Sequence, residues 1–154
     1  MCLRGVFIDQ VSQRTRIYRL GHGRIDVLVN NAGVFEDNPL GDPNADWLAN
    51  WNRTMQVNLT ASAQLCRHAV LHWHERGRPG EKTGGRIVNI GSINGQAGQY
   101  GQVNYAAAKS GIHGFTKSLA MEVAKRGVTV NTVSPGYLET KMVLAVPKEI
   151  LESK

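Results

Sequence analysis

Arg86-Ile87-Val88-Asn89-Ile90-Gly91-Ser92 is a short run of branched apolar residues that halts at a glycine and a serine. A run this short, rich in side chains that suit a pleated surface, reads as a buried β-strand. Upstream, Ile25-Asp26-Val27-Leu28-Val29-Asn30 follows the same formula and stops at Asn30-Asn31-Ala32-Gly33. Downstream, Val128-Thr129-Val130-Asn131-Thr132-Val133 follows it again before Ser134-Pro135-Gly136. Long segments of helical character separate the three. Asp46 can cap a helix through Trp47, Leu48, Trp51, Met55, Leu59, Leu65, Ala69 and Trp73 that stops near Gly77. A second helix is predicted from about Asn104 to Arg126, with Ile112, Phe115, Leu119 and Val123 on one face and Gly127 at its end. A shorter helix from Asp9 to Leu20 is predicted ahead of the first strand, and residues 76–85 read as an exposed connector.

Strand, helix, strand, helix, strand predicts an α/β fold, a parallel sheet of three core strands joined by crossover helices. Right-handed crossovers that advance in one direction place both helices on the same face. Parallel strands this apolar need cover on both faces, yet only Lys141 to Lys154 are left for the second. Residues 1–154 are therefore expected to form one incomplete domain. Its sheet should divide Ile87, Val88, Ile90, Val128 and Val130 between a helix-covered face and a poorly covered one, and such a chain should associate with a partner or with itself.

The composition, 42% hydrophobic and 19% charged, is that of a folded chain rather than a disordered one. The net charge of +6 concentrates at Arg14 to Arg24 and Arg76 to Arg86 without interleaved aromatic residues, so no nucleic-acid partner is predicted. Cys2 and Cys66 cannot make a disulfide framework, which fits a reducing compartment. Residues 1–8 are too short and interrupted for a signal peptide or a membrane span, so a cytoplasmic protein without membrane contact is expected. His68 and His72 stand four apart on one helix, but no third ligand is set at a metal-binding spacing. No metal is expected, and these histidines, Trp47, Trp51, Trp73 and Cys66 are read as packing or interface residues.

Four polar residues stand out. Tyr105 and Lys109 lie one helical turn apart on one face. An ammonium near a phenol favours the phenolate and so eases donation and recovery of a proton. Ser92 falls just past the carboxyl end of the second strand, the rim where open α/β sheets hold ligands. Its hydroxyl can hydrogen-bond a carbonyl oxygen. Asn58 lies inside a long helix, where its carboxamide could hold a water that passes protons toward Lys109. Singly, each has a plain structural explanation; together they outline a site for carbonyl reduction.

The segments Asn30-Asn31-Ala32-Gly33, Asn58-Leu59-Thr60, Arg86 to Ser92, Asn104-Tyr105-Ala106-Ala107-Ala108-Lys109-Ser110-Gly111 and Ser134-Pro135-Gly136 stand in the order and spacing of the short-chain dehydrogenase/reductase family. The chain resembles that family over roughly residues 20–145. Its latter half is most similar to acetoacetyl-CoA and 3-oxoacyl-acyl-carrier-protein reductases, through Ser92 to Tyr105, Phe115 to Ala120 and Val130 to Tyr137. The resemblance implies a Rossmann-type, doubly wound fold, NAD or NADP as cofactor, and a small-molecule carbonyl substrate. It implies that Ser92 polarises the carbonyl, Tyr105 is the general acid/base, Lys109 binds the nicotinamide ribose, and Asn58 joins the proton relay. Asn30, Asn31, Ala32 and Gly33 would brace the sheet and line the cofactor channel. Pro135, Gly136 and Thr140 would face the nicotinamide. Homo-oligomers through helices 46–76 and 104–126 are implied too, and a non-catalytic fragment retaining only that helical surface is the alternative. The sequence departs from the family in lacking its Thr-Gly-x-x-x-Gly-x-Gly turn, since Gly5, Gly21 and Gly23 have the wrong spacing, and in lacking the final strand. It also carries an insertion at Arg78 to Gly84, and Lys141 where ketoacyl reductases often have an acid.

Overall fold

Strands β1 (Val27–Asn30), β2 (Gly85–Ile90) and β3 (Val128–Val133) pair side by side in sequence order, both pairings parallel. They belong to a computed structural model that describes residues 25–43, 46–77, 82 and 84–136. The register aligns Leu28 with Ile87 and Val130, and two residues on aligns Asn30 with Asn89 and Thr132. Alternation along a strand puts both rows on one face.

Helices α2 (Ala61–Arg76) and α4 (Val103–Val123) cover that face. Leu65, Cys66, Ala69 and Trp73 from α2 and Leu119 and Val123 from α4 meet Leu28, Ile87, Val128 and Val130 in one core. Both crossovers thus lie on the same side, as predicted. On the other face Val88 and Ile90 are half-buried, while Val29 is 53% and Val133 50% exposed. The predicted division of Ile87, Val128 and Val130 from Val88 and Ile90 holds among the described residues.

The helix predicted from Asp46 to Gly77 is not continuous. Asp46 does cap it, its carboxylate accepting from Ala49 N at 3.3 Å, and α1 runs over Trp47–Met55. A π-helical turn, Gln56–Thr60, then intervenes before α2, with Ala61 N–H reaching back five residues to Gln56 O. The wider turn coincides with the buried Asn58, whose carboxamide is bonded outside the helix. α4 ends through a single 3-10 turn, Ala124–Arg126, and Gly127 at φ 71° closes it in the left-handed region.

β1 begins two residues later than predicted, for a specific reason. Ile25 N–H donates to His72 Nε2 at 3.2 Å, and Trp73 Nε1–H donates to Ile25 O at 2.7 Å. Side chains of α2 occupy both backbone groups of Ile25. A polar layer lies nearer the carboxyl ends of the strands. Asn30 Nδ2 donates to Asn89 Oδ1 (2.7 Å) and Cys66 Sγ (3.2 Å), Asn89 Nδ2 to Thr116 Oγ1 (2.9 Å), and Thr132 Oγ1 to Thr116 Oγ1 (2.7 Å). It ties all three strands to both helices. The helix predicted over Asp9 to Leu20, Gly5, Gly21, Gly23, most of the 78–84 insertion, Thr140 and Lys141 to Lys154 lie outside the described residues.

Candidate active site

The carboxyl ends of three parallel strands face one way, and each is followed by residues that leave the sheet with side chains or amides unspent on the ladder. Lys109 is the hub of what gathers there. It is 5% exposed, and its Nζ donates to the carbonyl of Ile90, the last residue of β2, at 2.7 Å. Burial pushes its ammonium below the usual lysine range. Its Nζ stands 5.7 Å from the centre of the Tyr105 ring. The one-turn spacing predicted for Tyr105 and Lys109 is realised on α4.

Tyr105 is half-buried and packs edge-on against Phe35, centroids 5.5 Å apart. Its backbone position is set from behind by Asn104, which is fully buried. Asn104 Oδ1 accepts from Tyr105 N at 2.8 Å, and Asn104 Nδ2 donates to Thr54 Oγ1 (3.0 Å) and Glu36 O (3.3 Å). One carboxamide therefore holds the first turn of α4 to α1 and to the segment after β1. The sequence marks Asn104 as the start of this helix but gives no sign of its contacts with Thr54 and Glu36, and it does not single out Phe35.

Ser92 is buried just beyond β2, its Oγ accepting from Asn94 N at 3.2 Å at the start of the short α3 (Asn94–Ala97). That contact uses an acceptor site of the hydroxyl and leaves its proton for another partner. The Asn58 carboxamide makes two bonds to a single residue: Oδ1 accepts from Val34 N and Nδ2 donates to Val34 O, each at 2.8 Å, which leaves one N–H and one lone pair of the amide for a further partner. What Asn58 does is fasten the chain after β1. Gly33 lies in that chain, and a Cβ there would stand 3.2 Å from Asn58 Oδ1 and 3.8 Å from Lys109 Nζ. The missing side chain leaves room beside the lysine.

Of the β1 tail, Asn30 is buried in the polar layer and Asn31, Ala32 and Gly33 are exposed. Pro135 joins the group through its carbonyl, which accepts from Ile93 N at 3.1 Å, while Gly136 is exposed and Thr140 is outside the described residues. Ser92, Tyr105 with Lys109, Asn58, Gly33 and Pro135 thus come from five segments of the chain to one end of the sheet. Among the described residues no group of three or more His, Cys, Asp or Glu side chains could hold a metal ion, and no helix is long and apolar enough to cross a membrane. His72 is engaged with Ile25.

The profile of the short chain dehydrogenase family matches residues 8–150. Acetoacetyl-CoA reductase of Cupriavidus necator is 46% identical over 130 residues, which make up 84% of this chain and 49% of that protein. A 3-oxoacyl-acyl-carrier-protein reductase of Vibrio harveyi is 52% identical over 124 residues, 80% of this chain and 47% of that protein. A crystal structure of a short chain dehydrogenase from Mycobacterium avium superposes with a TM-score of 0.69 and 36% identity, over 75% of this chain and 39% of that one. The chain spans about half the length of the curated relatives it matches. With three parallel strands and crossover helices, the architecture is a partial Rossmann-type α/β fold.

Proposed function

The chain belongs to the short chain dehydrogenase family, and we accordingly propose that it carries the hydride-transfer site of an NAD(P)H-dependent oxidoreductase that reduces a ketone, specifically a 3-oxoacyl thioester. The names of its relatives, an acetoacetyl-CoA reductase and a 3-oxoacyl-acyl-carrier-protein reductase, support this substrate class. The observation that carries the reading is the buried Lys109, one helical turn from Tyr105 and bonded to the strand end that leads to Ser92. A lysine taken out of water beside a tyrosine is costly in a merely structural role and suits proton transfer.

The residues present fit the nicotinamide-ribose end of a dinucleotide. The open surface of Asn31, Ala32 and Gly33 has Lys109 behind it, with Tyr105, Pro135 and Gly136 bordering the strand ends and Asn30 bracing the sheet; Thr140 completes the set by resemblance. When bound, the nicotinamide supplies the hydride. The Ser92 hydroxyl donates a hydrogen bond to the substrate carbonyl oxygen, keeps its proton, and so polarises and aligns the carbonyl. Tyr105 delivers its phenolic proton to that oxygen as the carbonyl carbon is reduced, giving the alcohol. The ammonium of Lys109 stabilises the phenolate left behind. Asn58 pins Val34, and with it Gly33, beside the lysine, and by resemblance belongs to the relay that passes protons toward Lys109. Half-length coverage and the exposed sheet face support the view that these residues form part of a larger Rossmann-type domain.

The test uses this chain joined to the family's glycine-rich strand-turn-helix and final strand. Tyr105→Phe should abolish reduction of acetoacetyl-CoA and leave NAD(P)H affinity nearly intact, because only the proton-donating oxygen is lost. Near-normal turnover would refute the assignment. A second reading, pairing of copies through helices 46–76 and 104–126, is favoured by Leu48, Leu71 and Met121, exposed apolar residues on α1, α2 and α4. Sedimentation of the 154-residue chain separates a monomer from such a dimer.

A further inference from the structure

The face of α4 that carries Tyr105 and Lys109 continues one turn on to His113. Side chains along it stitch the helix to the strand ends: Lys109 to Ile90 O, His113 to Ser134, and Thr116 to Asn89 and Thr132. His113 is the member that reaches the segment after β3, its Nε2 lying 2.9 Å from Ser134 Oγ. Beneath the pair runs Gly91, whose N–H donates to Val133 O at 2.7 Å. A Cβ at Gly91 would fall 2.8 Å from Ser134 Oγ and 3.0 Å from His113 Nε2. The imidazole and the hydroxyl therefore fill the space that a side chain at 91 would need. From Ser134 the chain passes to Pro135, whose carbonyl accepts from Ile93 N–H at 3.1 Å, and Ile93 follows Ser92.

We propose that His113 is a positioning residue of the reduction site. By holding the Ser134 hydroxyl it fixes the Ser134-Pro135-Gly136 turn against the end of β2 and, through Pro135, the backbone just past Ser92. It touches no reacting atom. The inference rests on the proposed function, in which Ser92 and Pro135-Gly136 border the carbonyl and the nicotinamide. Imidazole is well suited to such a hold, being a rigid ring whose Nε2 either donates to a hydroxyl or accepts from one. An aliphatic side chain would fill the same volume and leave Ser134 unheld.

Amide hydrogen exchange on the full 154-residue chain, without cofactor, tests this, with Ile93 and Gly91 resolved by mass spectrometry of overlapping fragments. His113→Leu and Ser134→Ala should each speed exchange at Ile93 by about tenfold, the loss of one net hydrogen bond. Gly91, bonded within the strand ladder, should exchange as before. The double variant should be no faster at Ile93 than either single one, and His113→Gln, which places an amide near the Nε2 position, should restore the protection. An unchanged Ile93, equal acceleration at Ile93 and Gly91, additive effects, or no rescue by glutamine would overturn the proposal. If His113→Leu fails to fold, Ser134→Ala and His113→Gln decide it. No substrate enters the measurement, so its outcome is separate from that of Tyr105→Phe.

Discussion

Lys109 Nζ and the carbonyl oxygen of Ile90 meet at 2.7 Å, so a helix in mid-course is joined through one ammonium to the last residue of the central strand. Burial opposes the charge on that ammonium and lowers its pKa from 10.5. At pH values below the lowered folded value both states hold the proton, and the burial cost is present in full. As pH rises toward 10.5 the folded lysine releases its proton before the unfolded one, so the cost fades and stability rises. Urea midpoints of the wild type should therefore gain on those of Lys109→Met between pH 7 and that limit. Parallel pH curves for the two proteins would show that the lysine is not buried in solution.

Cys66 behaves with the opposite sign. Burial pushes its thiol up to about 12, against a smaller lowering by the hydrogen bond from Asn30. Its contribution to stability is present below the ordinary thiol value of 9.0 and is lost as pH climbs from there toward about 12, because only the unfolded thiol ionises freely. At pH 8 the native chain should alkylate at Cys66 at least about a hundredfold more slowly than the urea-unfolded chain, since the thiolate is the reactive form. Peptide mapping of the label reads this directly, and rapid modification of the folded chain would contradict the buried layer around Asn89.

Asn58→Ala removes both bonds to Val34. Two partly buried backbone groups lose their partners, at a cost of about 2–3 kcal/mol, visible as a lower urea midpoint. A change under about 0.5 kcal/mol, the range of an ordinary surface substitution, would mean that water replaces the carboxamide without loss and that the π turn has another cause.

The 154-residue sequence contains no Thr-Gly-x-x-x-Gly-x-Gly turn. Each charge-assisted hydrogen bond of such a phosphate cradle is worth about 1.5–3 kcal/mol. The isolated chain should consequently bind NADH and NADPH more weakly than micromolar, and calorimetric titration showing micromolar binding would sink this expectation.

Much of the fold was written in local pattern. Branched apolar runs ending in small polar residues placed β2 and β3 to within a residue, and Asp46 and Gly127 marked helix ends that the structure keeps. What escaped depends on contacts between distant residues. Nothing near Ile25 in sequence says that His72 and Trp73 will take its backbone groups, 47 and 48 residues away. Nothing around Asn58 says that its carboxamide will hold both backbone groups of Val34, 24 residues away. Tyr105, Lys109 and Ser92 were legible as candidates because their chemistry is specific and their spacing is helical or strand-terminal. The contacts of Asn104 with Thr54 and Glu36 and of His113 with Ser134 were not legible, because they join residues far apart in the chain.

The grip of α2 on Ile25 reaches beyond the residues it involves. An unpaired strand edge is an invitation to any extended segment that offers matching amides. A newcomer aligning with β1 would find the donor and the acceptor of Ile25 already taken by a histidine and a tryptophan. With Asp26 O already accepting from Arg86 N on the β2 side, its ladder could start no earlier than Val27, leaving Val27 to Asn30 as the usable docking length. The helix thereby dictates the register of a neighbour it need never meet.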